Sequence, residues 1–188
     1  MRRLRAIAAG VLIVFELAVL GMIAMPNVDP QYRAVYIERT SECWPHKVSG
    51  SIEPGGRISF LAETDGRSKP LLRCGWLEPE DVGTWSIGPE SRLLLQLEPG
   101  RAATVDIEVM PFADSQDVVV SANRAPLTEW TLTKAGPSLQ TLEIPAVADG
   151  RLELAFHFPD TTSPHDLGLS NDGRALAIRL LSLTLRPQ

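Results

Sequence analysis

The downstream part of the chain alternates between apolar and polar positions. In "AATVDIEVM", Val105, Ile107 and Val109 fall in one phase and Thr104, Asp106 and Glu108 in the other; "RLELAFHF" does the same with Leu152, Leu154, Phe156 and Phe158. A period of two marks a strand with one face in a core and one in water. Further strands are predicted in "RISFLA" at 57–62, "SRLLLQL" at 91–97, "DVVVSAN" at 117–123, "LTEWTLT" at 127–133 and "LQTLEI" at 139–144. In "ALAIRLLSLTLR" the apolar phase runs Leu176, Ile178, Leu180 and then Leu181, Leu183, Leu185. That slip of one residue predicts a β-bulge, or a strand bending across to a second sheet. Turn signals separate the runs: "EPGG" at 53–56, "EPG" at 98–100, "KAGP" at 134–137, "ADG" at 148–150 and "NDG" at 171–173. Short strands so spaced predict an all-β fold, a single jelly-roll-type β-sandwich.

Ahead of these strands the pattern changes. "MRRLR" carries three arginines, and the next 20 residues, Ala6 to Met25, hold a single charge, Glu16. A helix of that length spans about 30 Å, the thickness of a bilayer's hydrocarbon core. The reading is a basic cytoplasmic tail at 1–5, a transmembrane signal anchor at 6–25, a linker and entry segment at 26–54, and an extracytoplasmic sandwich domain at 55–188. The arginines hold the N-terminus in the cytoplasm, which expects a single-pass protein of a bacterial inner membrane. A cleaved signal peptide with its apolar core at Ala6 to Phe15 is the competing reading, though no small-x-small cleavage site follows. Glu16 at mid-span costs about 2.5–3.5 kcal/mol on insertion scales. Either the span tolerates it, or it pairs with a polar group of a partner's membrane helix.

An exported location changes how Cys43 and Cys74 are read, as a structural disulfide. Such a bridge closes a loop of ~31 residues, worth roughly 3–4 kcal/mol in the chain-entropy model. The net charge of -5 argues against nucleic acid, which needs a cationic face. With three histidines, and aspartates at 160, 166 and 172 that match no calcium loop, no metal and no cofactor is expected. There is no GxSxG, HExxH or glycine-rich phosphate loop, so no catalytic residue is assigned.

Three stretches carry a resemblance. "GWLEPEDVGTWSIGPESRLLLQL", "VVVSANRAPLTEWTL" and "FHFPDTTSPHDLGLSNDGRALAIRLLSLTL" stand in that order between about residues 55 and 186. Together they resemble a β-sandwich accessory domain appended to some bacterial cell-envelope glycosyltransferases and phosphoglycerol transferases, whose motif runs Gly-Trp-x-x-Pro-Glu…Gly-x-Trp-Ser-x-Gly-Pro-Glu. Leu77, Arg124 and Ala177 depart from the residues usual there (Ser, Gly and Gly), and the expectation is of a domain behind one anchor without a catalytic domain. The resemblance implies association with carbohydrate in envelope or exported polysaccharide assembly. The implied partners are a polysaccharide or glycolipid and a membrane-embedded glycosyltransferase or export component.

The loop "GWLEPEDVGTWSIGPES" can serve such a role. Trp76 and Trp85 offer planes for the C–H faces of sugar rings, and Glu78, Glu80, Asp81 and Glu90 offer acceptors for hydroxyls. His157, in the polar phase of its strand, joins the candidate carbohydrate-binding set. The structural alternative makes both tryptophans plugs at one end of the sandwich. A second cluster, His157, Asp160, Ser163, His165, Asp166, Asp172 and Arg174, reads as an ordered loop in which Arg174 ion-pairs with Asp166 or Asp172. The expectation is a membrane-anchored, non-catalytic carbohydrate-associated protein. The alternative is a protein–protein docking module that binds no sugar; a glycan hydrolase ranks third.

Overall fold

The computed structural model describes residues 15–16, 52, 55–62, 67–133 and 136–188. The chain divides into two units, Met1–Thr40 and Ser41–Gln188. Of the first, only Phe15 and Glu16 are described; both are helical and exposed. The expected tail, the rest of the expected span and Cys43 lie outside the described residues. Among the described residues, no helix is long and apolar enough to cross a membrane.

The second unit is all-β, with one 3-10 turn at Lys69–Leu71. Its strands are β1 (Arg57–Ser59), β2 (Thr84–Trp85), β3 (Glu90–Gln96), β4 (Ala103–Pro111), β5 (Ser115–Ala122), β6 (Ala125–Thr133), β7 (Ser138–Ile144), β8 (Arg151–His157) and β9 (Ile178–Pro187). They form two antiparallel sheets. Sheet A runs β1-β9-β4-β7 with β2 also beside β9, and sheet B runs β3-β8-β5-β6. The eight strands expected from alternation are present; β2 is the addition.

The two sheets share one core, the arrangement of a β-sandwich. Val105, Ile107 and Val109 of sheet A meet Leu152, Leu154 and Phe156 of sheet B, all fully buried. Each fully buried side chain of this size stabilises by about 1.5–3 kcal/mol. Ile52, assigned from sequence to the entry segment, also lies in this core.

The phase slip in the last strand is a bulge. Glu108 pairs with Ser182 and Val109 with Leu180, so Leu181 has no opposite number on β4. One extra residue there keeps both Leu180 and Leu183 pointing into the core. On its other edge β9 holds two short strands end to end: β1 against Ser182–Thr184, β2 against Arg179 and Leu180.

The β5–β6 hairpin turns on Asn123 and Arg124, both with positive φ (49° and 71°). Two such residues in a two-residue loop make the turn that matches strand twist. Arg124 tolerates the place where glycine is usual, and Asn123 anchors the turn: its side chain donates to the Arg151 carbonyl at 3.0 Å and accepts from the Glu153 N–H at 2.8 Å.

Gly75 sits where the entry to the tryptophan loop crosses β3. It has φ +70°, and a Cβ there would stand 2.0 Å from the Glu90 carbonyl oxygen. Gly75→Ala is expected to cost about 2 kcal/mol or more, from positive-φ strain and a backbone collision that no rotamer relieves. Urea unfolding of Gly75→Ala beside Gly88→Ala, whose added Cβ meets nothing within 4 Å, checks it.

Candidate functional site

The tryptophan loop is a tight excursion stitched to itself. Trp76 pairs with Ser86 across it and Glu80 with Gly83; the Leu77 N–H donates to the Trp85 carbonyl at 2.8 Å. Ser86, fully buried, accepts the Ala177 and Ile178 N–H groups on its hydroxyl at 3.2 and 2.9 Å. Thr84, also fully buried, donates its hydroxyl to the Phe60 carbonyl at 2.8 Å. Asp81 and Val82 form the turn into β2.

This pairing separates the two tryptophans. Trp76 turns inward, edge-on to Phe156 with centroids 6.1 Å apart, and its indole N–H donates to the Arg92 carbonyl at 2.8 Å. Trp85 lies half-buried on the other side, against Phe112 at 5.5 Å. One of its faces is covered by the Arg179 guanidinium, 5.1 Å from the ring centroid. The loop's carboxylates scatter as well. Glu78 is exposed and held by Lys69 at 2.8 Å, and Glu80 is exposed near Arg174.

Two members of the expected set do come together. Glu90 and His157 are opposite each other on β3 and β8. His157 is also opposite Val119 of β5, and Val119 is opposite Glu129 of β6. Val119 and His157 each lie between two buried residues, and Glu90 and Glu129 each precede one (Ser91 and Trp130), so Glu129, Val119, His157 and Glu90 form one row across the outer face of sheet B. At about 4.8 Å per strand the row is ~14 Å long. Beside Glu90, Arg92 donates from Nε to its carboxylate at 2.5 Å and from Nη1 to Glu153 at 3.1 Å.

Over the β5–β6 end of this row lies a cleft of about 230 Å³, lined by Asp117, Val118, Val119, Glu129, Trp130, Thr131 and Pro159. The Thr131 hydroxyl donates to Asp117 at 2.8 Å. The Pro159 wall is tied down from inside. Gln116, 5% exposed, donates its side-chain N–H groups to the Asp160 carbonyl at 2.7 Å and the Asp117 carbonyl at 3.0 Å. Asp117 and Glu129 were missed from sequence because only the pairing of β6, β5 and β8 brings them to the face that carries His157. The signal available was the polar phase of "DVVVSAN" and "LTEWTLT".

The 157–174 cluster resolves into turn-making contacts. Arg174 pairs with Asp172 rather than Asp166, at 2.6 Å, and holds the Asp172 carboxyl down at about 2, by its side-chain hydrogen bonds and then its backbone N–H. The Ser163 hydroxyl donates to Asp166 at 2.7 Å and accepts the Asp166 N–H at 3.0 Å; His165 Nδ1 stands 3.6 Å from the same carboxylate. Here the carboxylate stands between hydroxyl and imidazole. Nucleophilic catalysis needs the imidazole in that place. The described residues contain no group of three or more histidines, cysteines, aspartates or glutamates that could hold a metal. Cys74 carries no free thiol.

No family model matches the chain, and no curated protein does. Among solved structures, the chain is similar to the CBM22-1 xylan-binding domain of Paenibacillus barcinonensis Xyn10C, with 10% identity, a TM-score of 0.46, and 73% of this chain and 97% of that one covered. It is similar to a carbohydrate-binding module, CBM36, in complex with calcium and xylotriose, at 12% identity and TM-score 0.43, covering 69% of this chain and 98% of that one. It is also similar to CsCBM6-3 from Clostridium stercorarium in complex with cellobiose, at 12% and 0.41, covering 75% and 100%.

Two outcomes test this geometry. Trp76→Phe loses the indole hydrogen bond to a half-buried carbonyl and part of the contact with Phe156, and is expected to lower stability by about 1–3 kcal/mol in urea unfolding. Arg174→Gln is expected to move the Asp172 carboxyl up from about 2 toward the ordinary value near ~3.9, read by NMR titration. The sign follows from the lowered value: the pair's contribution is present above the ordinary value and lost as pH falls through about 2.

Proposed function

We propose that this chain is a membrane-anchored, non-catalytic accessory protein of bacterial envelope or exported polysaccharide assembly, and that it holds a glycan on the outer face of sheet B. The observation that carries the reading is the cleft beside the Glu129–Val119–His157–Glu90 row. It offers carboxylates, a hydroxyl and an imidazole on strands rather than on loose loops. Sites built on regular elements hold their polar groups in place before the ligand arrives. Its volume is below the ~300 Å³ of pockets that enclose a whole drug-sized ligand. That suits a chain lying on the surface with part of one unit inserted. The jelly-roll topology, the signal anchor at 6–25 and a Cys43–Cys74 bridge complete the reading, as does a glycosyltransferase or export component met by Glu16 in the membrane.

A second reading, protein docking without sugar, is favoured by one feature. Leu167 and Leu169 are 47% and 68% exposed, on a turn fixed by backbone bonds from Leu167 to Ser163, Gly168 to His165 and Leu169 to Pro164. Leucines displayed by an ordered turn suit a protein contact.

Binding of the purified full-length chain to a panel of bacterial surface polysaccharides separates the two. The wild type is expected to bind; Val119→Trp, which fills the cleft from its floor, is expected to abolish binding without lowering the melting temperature. Trp85→Ala, on the other sheet, is expected to leave binding intact. If Trp85→Ala removes binding and Val119→Trp does not, the cleft is the wrong site. If no glycan binds, the docking reading takes its place.

A further inference from the structure

Resting on the reading of the cleft as a glycan site, we propose that it selects sugars bearing a free amino group and rejects anionic ones. Asp117 and Glu129 lie on neighbouring strands in diagonal positions, since Asp117 is opposite Thr131 and Glu129 opposite Val119. Diagonal neighbours stand about 7–8 Å apart at the backbone, with side chains reaching closer. An ammonium of about 3 Å hydrogen-bond reach can therefore meet both carboxylates at once, across the cleft that they line. The two acids are not equally committed. Asp117 already accepts the Thr131 hydroxyl on one oxygen and keeps the other for a ligand. Glu129 is exposed and its side chain makes no hydrogen bond or ion pair with another described residue, so its carboxylate can turn to the bound group.

No cation among the described lining residues cancels this charge. Arg92, at the far end of the row, is held by Glu90 on one side and Glu153 on the other. Across the described lining of the cleft there is no lysine or arginine. A uronic acid or phosphate in the cleft would face two like charges, whereas an amine would replace water with charge-assisted hydrogen bonds, about twice as strong as neutral ones. The floor and wall help by staying still. Gln116 bonds the backbone on both sides of the cleft, at Asp117 and at Asp160 next to Pro159.

The test compares two ligands that differ in little but the amine: hexamers of glucosamine and of N-acetylglucosamine, titrated against the full-length chain by calorimetry. The glucosamine hexamer is expected to bind at least tenfold tighter at low salt. The double variant Asp117→Asn, Glu129→Gln keeps both shapes and is expected to erase that preference, bringing the affinities for the two hexamers to within about twofold of each other. Equal affinities for the two hexamers, a preference that survives in the double variant, or poly-lysine competing as well as the glucosamine hexamer would each overturn the amine selectivity while leaving the cleft a glycan site. Failure of both hexamers and of every neutral polysaccharide to bind would instead bring down the glycan reading on which it rests.

Discussion

Sheet A depends on one strand, β9, and on one extra residue within it. β4 runs along the whole of one side of β9, and on the other side β1 and β2 meet end to end. Leu181 falls where β1 gives way to β2 and has no partner on β4. Its carbonyl instead accepts the Phe60 N–H at 2.9 Å, just where β1 ends. A bulge bends and twists its strand locally. Here that lets two pieces of chain far apart in sequence share one edge. Gly83 is the counterpart: its φ is +130°, and a Cβ would approach the Leu180 carbonyl at 2.8 Å. With that contact the tryptophan loop is drawn against β9, and its hydroxyls Thr84 and Ser86 are buried to satisfy the backbone around the junction.

The alternation of Val105, Ile107 and Val109 was sufficient to place β4, because burial on one face only leaves no other register. The slip at Leu181 was legible for the same reason. The direction of the tryptophans was not. Trp76 and Trp85 are nine residues apart in a segment without periodicity, and nothing local says how its two arms pair. Once Trp76 is opposite Ser86, Trp85 is one residue off that pair, and adjacent positions on an extended chain point to opposite faces. One ring must enter the core as the other leaves it. A single binding platform made of both is therefore incompatible with the pairing, whatever the composition of the loop suggests.

The same logic explains why the cleft could not be read from the chain. Asp117, Glu129, His157 and Glu90 come from four strands, and only three registers bring them to one face. Each alone is a polar residue in the outward phase of a strand. The ion pairs that were foreseeable from sequence, such as Arg174 with Asp172, are local and exposed. Surface pairs of that kind contribute little to stability, so foreseeing them says little about function.

The two ends of the row differ in a way that bears on binding. At β3, Glu90 and Glu153 share Arg92, whose side chain is only 17% exposed, so each of these acids already has a cationic partner. At β5 and β6 the carboxylates have a threonine hydroxyl and water instead. An acid already paired with arginine has little to gain from a ligand, since the new contact must displace the old one. An acid facing water exchanges only solvent and keeps its full attraction for an incoming donor. Selectivity in this row therefore belongs at the Asp117–Glu129 end. At the Glu90–Arg92–Glu153 end the acids are already paired and offer an incoming donor less.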